Sequence, residues 1–305
     1  MNITEIIPDS VFRFGRNLKN HKMLAAAKKA NAAAQRDFLK QPEESGLYEG
    51  HRPNRIIVSF TTYPARIDSA YLVADCMLKQ TVKPDKLVLY LAESQFPGKH
   101  LPDEYEPLRK RGLEIRWCGE DLLAHKKYFY AMQDFPDDIV VTVDDDVIYP
   151  HTLIENLYKS YKLQPNAVHA TRGHRITIEN QHILPYNQWE KDIVDNRPVA
   201  GYQYLATGVG GVLYPPHLLP KETFDTKNIR DLAIKADDLW LKVMEIKNGI
   251  PTVLTQESFP CYEIAGSQKT ALVYDNVGRG LNSKILGELL KRYNLEEKLI
   301  KLIHN

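Results

Sequence analysis

Three near-continuous apolar runs constrain this chain more than any other feature. They are Arg55-Ile56-Ile57-Val58-Ser59-Phe60, Lys86-Leu87-Val88-Leu89-Tyr90-Leu91 and Asp138-Ile139-Val140-Val141-Thr142-Val143. A strand with one wet face alternates apolar and polar residues. Runs that are apolar at almost every position belong to strands covered on both sides, as in a parallel sheet between helical layers. Between the first two runs, residues 68–80 predict a helix with Asp68 as its N-cap. Together they form a βαβ unit, which crosses over right-handedly. A second helix is predicted over 102–111, a short strand over 113–117 and a third helix over 120–133. After residue 150 the pattern gives a helix over 151–163, a strand over 167–171 and a loop-rich stretch over 176–204 containing Tyr186, Trp189 and Tyr202. A small-residue turn, Thr207-Gly208-Val209-Gly210-Gly211, leads into Val212-Leu213-Tyr214. A helix then opens near Asp237 and runs to about 247, and a last one spans about 283–302 with Asn282 as its cap. The class is α/β, with a mixed, mainly parallel sheet flanked by helices.

Length and charge bound the rest. The 305 residues suffice for one large α/β domain with additions, and a 43% hydrophobic content is enough for a sizeable core. A formal net charge of +1 gives no global field to recruit nucleic acid or an anionic membrane. Cys76, Cys118 and Cys261 stand far apart in apolar surroundings, with no CxxC pair, and read as reduced thiols. No stretch approaches the roughly 20 apolar residues of a membrane span, and the early acidic residues and Pro8 do not make a signal peptide. The expected location is cytoplasmic, with peripheral contact at the inner face of the membrane left open. Residues 1–50 form an Ala-rich helical arm that packs on the body, oligomerises or lies on a membrane surface. Residues 51–265 form the main domain, and 266–305 a C-terminal loop and helix.

The chemistry centres on Asp144-Asp145-Asp146, which directly follows the third buried run. In open α/β sheets, ligands bind outside the carboxyl ends of the strands. On an extended chain Asp144 and Asp146 project together and Asp145 opposite. Two adjacent carboxylates repel unless a cation sits between them. A hard divalent ion, Mn²⁺ or Mg²⁺, takes one or two carboxylates together with substrate phosphates. A solvated acidic turn is the bland alternative, and the buried strand before the triplet argues against it. His125, His151, His169, His174, His182 and His217 show no zinc-ligand spacing.

At these residues the chain resembles the GT-A glycosyltransferases, specifically the family 2-like members of bacterial polysaccharide and glycoconjugate assembly, whose Asp-X-Asp motif ends a strand of a nucleotide-binding half. Further segments match in order over residues 55–265. The run 59–66 stands where such enzymes begin the base-and-ribose pocket, which implies Thr61, Tyr63 and Arg66 as nucleotide contacts. Lys126 and Lys127 stand where a cation near the nucleotide is usual. Asp144 and Asp146 match the metal motif, with Asp144 and Asp145 also counted to the nucleotide. The turn around Gly210 and Gly211 resembles the acceptor-side loop, where lack of a side chain permits close approach to a sugar. Asp237-Asp238 resembles the acidic pair that opens a helix and supplies the base in inverting members; either residue would also suit an N-cap. Arg279 lies in a segment that could cover the diphosphate. Trp189 and Trp240 suit core packing better than sugar stacking.

The resemblance implies a Rossmann-like nucleotide-binding half joined to an acceptor-binding half. It also implies a metal-dependent hexosyl- or N-acetylhexosaminyl-transferase, with a nucleotide-sugar donor (a UDP-sugar favoured) and a glycan or lipid-linked glycan acceptor. A sugar nucleotidyltransferase would want a Gly-rich, Arg/Lys-bearing phosphate loop after the first strand, where this chain has Thr61-Thr62-Tyr63-Pro64. A receiver-like domain needs far fewer residues. A non-catalytic, cation-dependent carbohydrate-binding module differs from an enzyme in releasing no nucleotide.

Overall fold

The computed structural model describes residues 9–40, 42, 44–193, 200–255, 257, 259–265 and 280–304, with side chains from residue 22 onward. The helices are α1 (Asp9–Phe38), α2 (Ile67–Leu78), α3 (Tyr105–Lys110), α4 (Lys126–Asp134), α5 (Leu153–Leu163), α6 (Thr226–Asn228), α7 (Asp237–Asn248), α8 (Leu281–Tyr293) and α9 (Glu296–His304). The strands before α5 are β1 (Ile56–Thr61), β2 (Lys86–Ala92), β3 (Leu113–Cys118), β4 (Ile139–Thr142) and β5 (Val147–Ile148). Those after it are β6 (Val168–Ala170), β7 (Gly173–Arg175), β8 (Ile178–Glu179), β9 (His182–Ile183), β10 (Glu190–Ile193), β11 (Ala200–Gly201), β12 (Tyr204–Ala206), β13 (Val212–Tyr214), β14 (Thr252–Leu254) and β15 (Tyr262–Glu263).

Eight strands form one sheet in the order β11-β14-β6-β13-β4-β1-β2-β3. Strands β4, β1, β2 and β3 run parallel, as the unbroken apolar runs require. β13 pairs antiparallel with both β4 and β6, while β14 is parallel to β6, so the sheet is mixed and mainly parallel. Alternate residues of β1 feed opposite layers. Ile56, Val58 and Phe60 pack with Leu72, Val73 and Leu157 from α2 and α5, whereas Ile57 packs with Ala131 and Phe135 at α4. Below β13 and β6, Trp240, Val243, Leu286 and Leu289 close the second layer with α7 and α8.

The strand order fixes where a ligand can bind. From β1 the chain moves outward through β2 and β3, then returns to β4 on the other side of β1. The connections leaving β1 and β4 therefore diverge, opening a crevice at their carboxyl ends, the topological switch point of an open sheet.

Several local expectations are corrected. Asp68 lies in the first turn of α2 and Arg66 holds the cap position, with no side-chain cap bond. The helix expected over 120–133 starts as a 3₁₀ turn at Leu123–His125, because Leu123 is at φ 49° and a left-handed residue cannot sit inside an α-helix. The final helix is two, divided by Asn294 at φ 53°, a conformation that asparagine tolerates. Asn282 is buried within α8, and Gly280 holds the position before the helix. Asp237 and Asp238 form the first turn of α7, with Ala236 before them and no side-chain cap.

The arm packs on the body. Phe38 meets Tyr71 of α2 at 4.6 Å between ring centroids. The buried Asn31 amide donates to the Glu263 carbonyl (2.8 Å) and accepts from the Ala265 N–H (2.8 Å). That holds β15, which pairs with β5 directly after the acidic triplet. No helix among the described residues is long and apolar enough to cross a membrane.

Candidate active site

The connections after β1 and β4 meet in the crevice. Thr62 donates its hydroxyl to Asp145 Oδ2 (2.6 Å), and the Arg66 guanidinium bridges Asp145 (2.6 Å) and Asp146 (3.0 Å). The alternation expected of the triplet fails here. Asp145 and Asp146 lie in a turn beyond the last strand residue, Thr142, so period-two geometry no longer applies, and the two share one guanidinium. Asp145 is buried and engaged by both Thr62 and Arg66, which ties the end of β4 to the end of β1. Asp146 also fixes the backbone beyond it, since its carbonyl accepts from the Ile264 N–H (2.7 Å).

Asp144 turns toward a second group of residues. Its carboxylate pairs with Lys127 Nζ (2.6 Å), and the same ammonium reaches Asp237 Oδ2 (2.8 Å). Asp238 Oδ1 accepts the Gly208 N–H (3.0 Å). Gly208 sits against all three groups: a Cβ there would lie 2.9 Å from Lys127 Nζ, 3.1 Å from Asp144 Oδ1 and 3.2 Å from Asp238 Oδ1. The buried Ser59 hydroxyl donates to the Lys127 carbonyl, so β1 also seats the first turn of α4. The Asp144 N–H donates to the buried Tyr149 hydroxyl (2.9 Å), which donates to the Val209 carbonyl (3.2 Å) and ties the triplet to the glycine turn.

The charges are unequally balanced. Burial works against the Lys127 ammonium, but Asp144, Asp237 and Asp238 outweigh it and hold the lysine charged. Burial likewise opposes ionisation of Asp237, yet Lys127 and His125 bring its carboxyl below the usual range. Burial, with Asp237 alongside, pushes Asp238 well above that range. Burial and the neighbouring Asp144 push Asp146 up to about 7 despite Arg66. The Asp144–Asp146 pair is thus short of positive charge. Two carboxylates are hard oxygen donors of the kind that hold Mn²⁺ or Mg²⁺ with substrate oxygens completing the shell. Among the described residues no three His, Cys, Asp or Glu side chains group to hold an ion by themselves. The donor set fits a cation shared with a phosphate-bearing substrate.

The other expected site residues divide. Lys126 and Lys127 part company: Lys126 is buried and paired with Asp121, away from the acidic cluster. Thr61 spends its hydroxyl on the Tyr90 carbonyl (2.7 Å), while Tyr63 is half-buried with Arg66 over its ring. Gly210 and Gly211 are buried in the turn, where Gly211 takes φ +80° and Gly210 lies against Arg172 and Thr171. Trp240 is core and donates to the Thr223 carbonyl, and Trp189 is buried too. His125 is buried between the Tyr128 hydroxyl and the Ala233 carbonyl. Arg279 lies outside the described residues. Sequence reasoning missed Tyr149 and Arg172, since neither a lone tyrosine after a strand nor a lone arginine carries a pattern.

No family model matches the chain, and no curated protein matches it. Among solved structures, the mannosyltransferase PcManGT from Pyrobaculum calidifontis, in complex with GDP-Man and Mn²⁺, is similar at 15% identity, covering 92% of this chain and 79% of that one, with a TM-score of 0.47. CMP:2-keto-3-deoxy-manno-octonic acid synthetase, complexed with CTP, is similar at 11% identity over 68% of this chain and 93% of that one, with a TM-score of 0.36. The nucleotides and the metal are those proteins' ligands.

Proposed function

We propose that this chain is a glycosyltransferase that draws its sugar from a nucleoside-diphosphate donor, a UDP-sugar by preference, bound in the crevice between β1 and β4. One observation carries this assignment. Asp144 after β4 and the acidic pair opening α7 converge on a single buried lysine, with Gly208 pressed against the junction. Asp144 and Asp146 would hold Mn²⁺ or Mg²⁺, which supplies Lewis-acid neutralisation of charge on the leaving diphosphate. Lys127 fixes Asp144 and Asp237 in place and keeps Asp237 ionised. Asp238 is the base: its basicity is raised by burial and by Asp237, and its backbone contact with Gly208 aims it at the turn.

In the reaction, an acceptor hydroxyl oxygen bonds to the anomeric carbon. The bond from that carbon to the diphosphate oxygen breaks, its electron pair leaving with the nucleotide, and the hydroxyl proton passes to Asp238. A single displacement inverts the anomeric centre, through an oxocarbenium-like transition state. The acceptor is a glycan or lipid-linked glycan, in the synthesis of surface polysaccharide.

Thermal-shift measurement against UDP, GDP, CMP and dTDP species, with and without Mn²⁺, tests the proposal. A nucleotide at 100 times its Kd stabilises by about 2.7 kcal/mol. For a chain of this length that is a rise of roughly 4 °C in Tm. One nucleotide should give this rise only with Mn²⁺, and the Asp144→Asn/Asp146→Asn double variant should give none. A rise that persists in that variant would overturn the site. Pyrophosphate release from CTP and a sugar acid would replace the transferase by a nucleotidyltransferase.

A further inference from the structure

Beside the acidic cluster, the small sheet β10-β7-β12 carries two cations, Arg172 and Lys191, with no part in the chemistry above. Arg172 immediately precedes β7, and its guanidinium donates to Thr207 Oγ1 (3.3 Å) and to the Asp192 carboxylate. Lys191, on β10, lays its ammonium on the face of Tyr186, 3.2 Å from the ring centroid, with Trp189 5.5 Å away. That Nζ is buried and has no hydrogen-bond partner among the described residues. An ammonium has three donors, and leaving all of them unused out of water is unfavourable; a ring face offsets only part of the cost.

The surrounding groups do not make up the difference. Burial, with Arg172 adding to it, outweighs Asp192 and holds the Lys191 amine down at about 8. Asp192 is the carboxylate between the two cations, and its side chain is 59% exposed. His174 adds no charge: its Nδ1 accepts the Asp192 N–H (3.1 Å), and burial brings its pKa down to about 4. Two cations thus face one solvated carboxylate, an arrangement lacking one anion. The two cations also adjoin the proposed base. Thr207, which Arg172 holds, precedes Gly208, and burial together with the charge on Asp238 raises the Tyr186 hydroxyl.

We propose that Arg172 and Lys191 form an anion pocket on the acceptor side of the site, receiving a phosphate or carboxylate carried by the acceptor beside Asp238. The assignment rests on the glycosyltransferase function above and narrows its acceptor to an acidic or phosphorylated saccharide. The guanidinium offers paired donors to such a group, and the ammonium offers its three unused ones.

The test measures binding to the full chain by calorimetry and ligand-observed NMR. The probes, without nucleotide, are glucuronate, glucose 6-phosphate and glucose; UDP and GDP with Mn²⁺ are titrated in parallel. The acidic sugars should bind at least tenfold tighter than glucose. Lys191→Met and Arg172→Gln should each weaken them at least tenfold, by a larger factor than they weaken the nucleotide, and Lys191→Arg should restore binding. Circular dichroism confirms that the variants are folded. Equal affinity for glucose and the acidic sugars, or unaltered affinity in folded variants, overturns the pocket. A loss falling mainly on the nucleotide assigns the pair to the donor diphosphate and overturns the acceptor role. Acidic sugars binding to a chain that takes no nucleotide would retain the anion pocket and remove the glycosyltransferase function instead.

Discussion

Replacing Gly208 by alanine probes the junction of the site with a single methyl group. The backbone there is not in the left-handed region, so an alanine brings no conformational strain of its own. The added Cβ would stand 2.9 Å from Lys127 Nζ, where ordinary contacts begin at 3.4 Å. The ammonium must therefore retreat by roughly 0.5 Å, and Asp144 and Asp238 by a few tenths. Lys127 cannot move cheaply, because it is buried and held at 2.6 Å by Asp144 and 2.8 Å by Asp237. With an effective dielectric of about 20, lengthening each pair by that amount costs ~1 kcal/mol, or ~2 kcal/mol for both. Spread over a chain of this size, that lowers Tm by roughly 3 °C. Function should suffer more than stability, since displacing a group at a reacting centre by 1 Å can cost about 100-fold. Expected are a loss of tenfold or more in Mn²⁺-dependent nucleotide affinity and a larger loss in donor turnover. Gly287→Ala is the control: this exposed position in α8 has nothing within 4 Å of an added Cβ, and the substitution should raise stability by up to ~1 kcal/mol. Scanning calorimetry and nucleotide titration read both variants. Wild-type nucleotide affinity and turnover in Gly208→Ala would refute the convergence of Lys127, Asp144 and Asp238 on one reacting centre.

Further outcomes follow from the same geometry. Asp238→Asn should abolish transfer while leaving nucleotide affinity within a few-fold. Asp237→Asn should instead weaken the hold on Lys127, lowering stability as well as activity; steady-state kinetics and urea unfolding separate the two. His169 should make the protein acid-sensitive. It is buried, with Ser160 donating to Nδ1 (2.8 Å) and Nε2 donating to the Gln164 carbonyl (3.0 Å), and burial brings its pKa down to about 4. The folded ring takes a proton less readily than the unfolded one at about 6.5. Its stabilising contribution is therefore complete above pH 6.5 and is lost as pH falls toward 4, by ~2 kcal/mol at pH 5. His169→Gln should flatten that part of the urea-unfolding pH profile. Asn31→Ala removes two bonds to the backbone of β15 and its neighbour, and should cost about 1–3 kcal/mol by the same unfolding assay.

Much of this was legible beforehand because it depends on local pattern. Burial on both faces writes itself into a strand as an unbroken apolar run, so β1, β2 and β4 could be read with their parallel pairing. The acidic triplet stood at a strand end, and its placement in a crevice follows from the general rule for open sheets. Local signals failed where the chain leaves regular geometry. Strand alternation does not hold past Thr142, where the chain turns and Asp145 and Asp146 meet one guanidinium. Helix propensity continues through Leu123, whose left-handed backbone no propensity scale foresees. Lys126 and Lys127 were indistinguishable as neighbours, although on a helix adjacent residues point about 100° apart and only one enters the cluster.

The sequence by itself determined the α/β class, the parallel half of the sheet, and the two acidic segments that meet in the crevice. Each is a property of a short window, set by burial period or by composition. Only the tertiary structure decided that β4 returns beside β1 and brings Arg66 onto Asp145 and Asp146. It alone brought Lys127, Asp144, Gly208, Asp237 and Asp238 together across 111 positions of chain, from residue 127 to residue 238. The reason is physical. Contacts between distant segments depend on how layers pack and on which strand order closes the core, and no single window of sequence carries either.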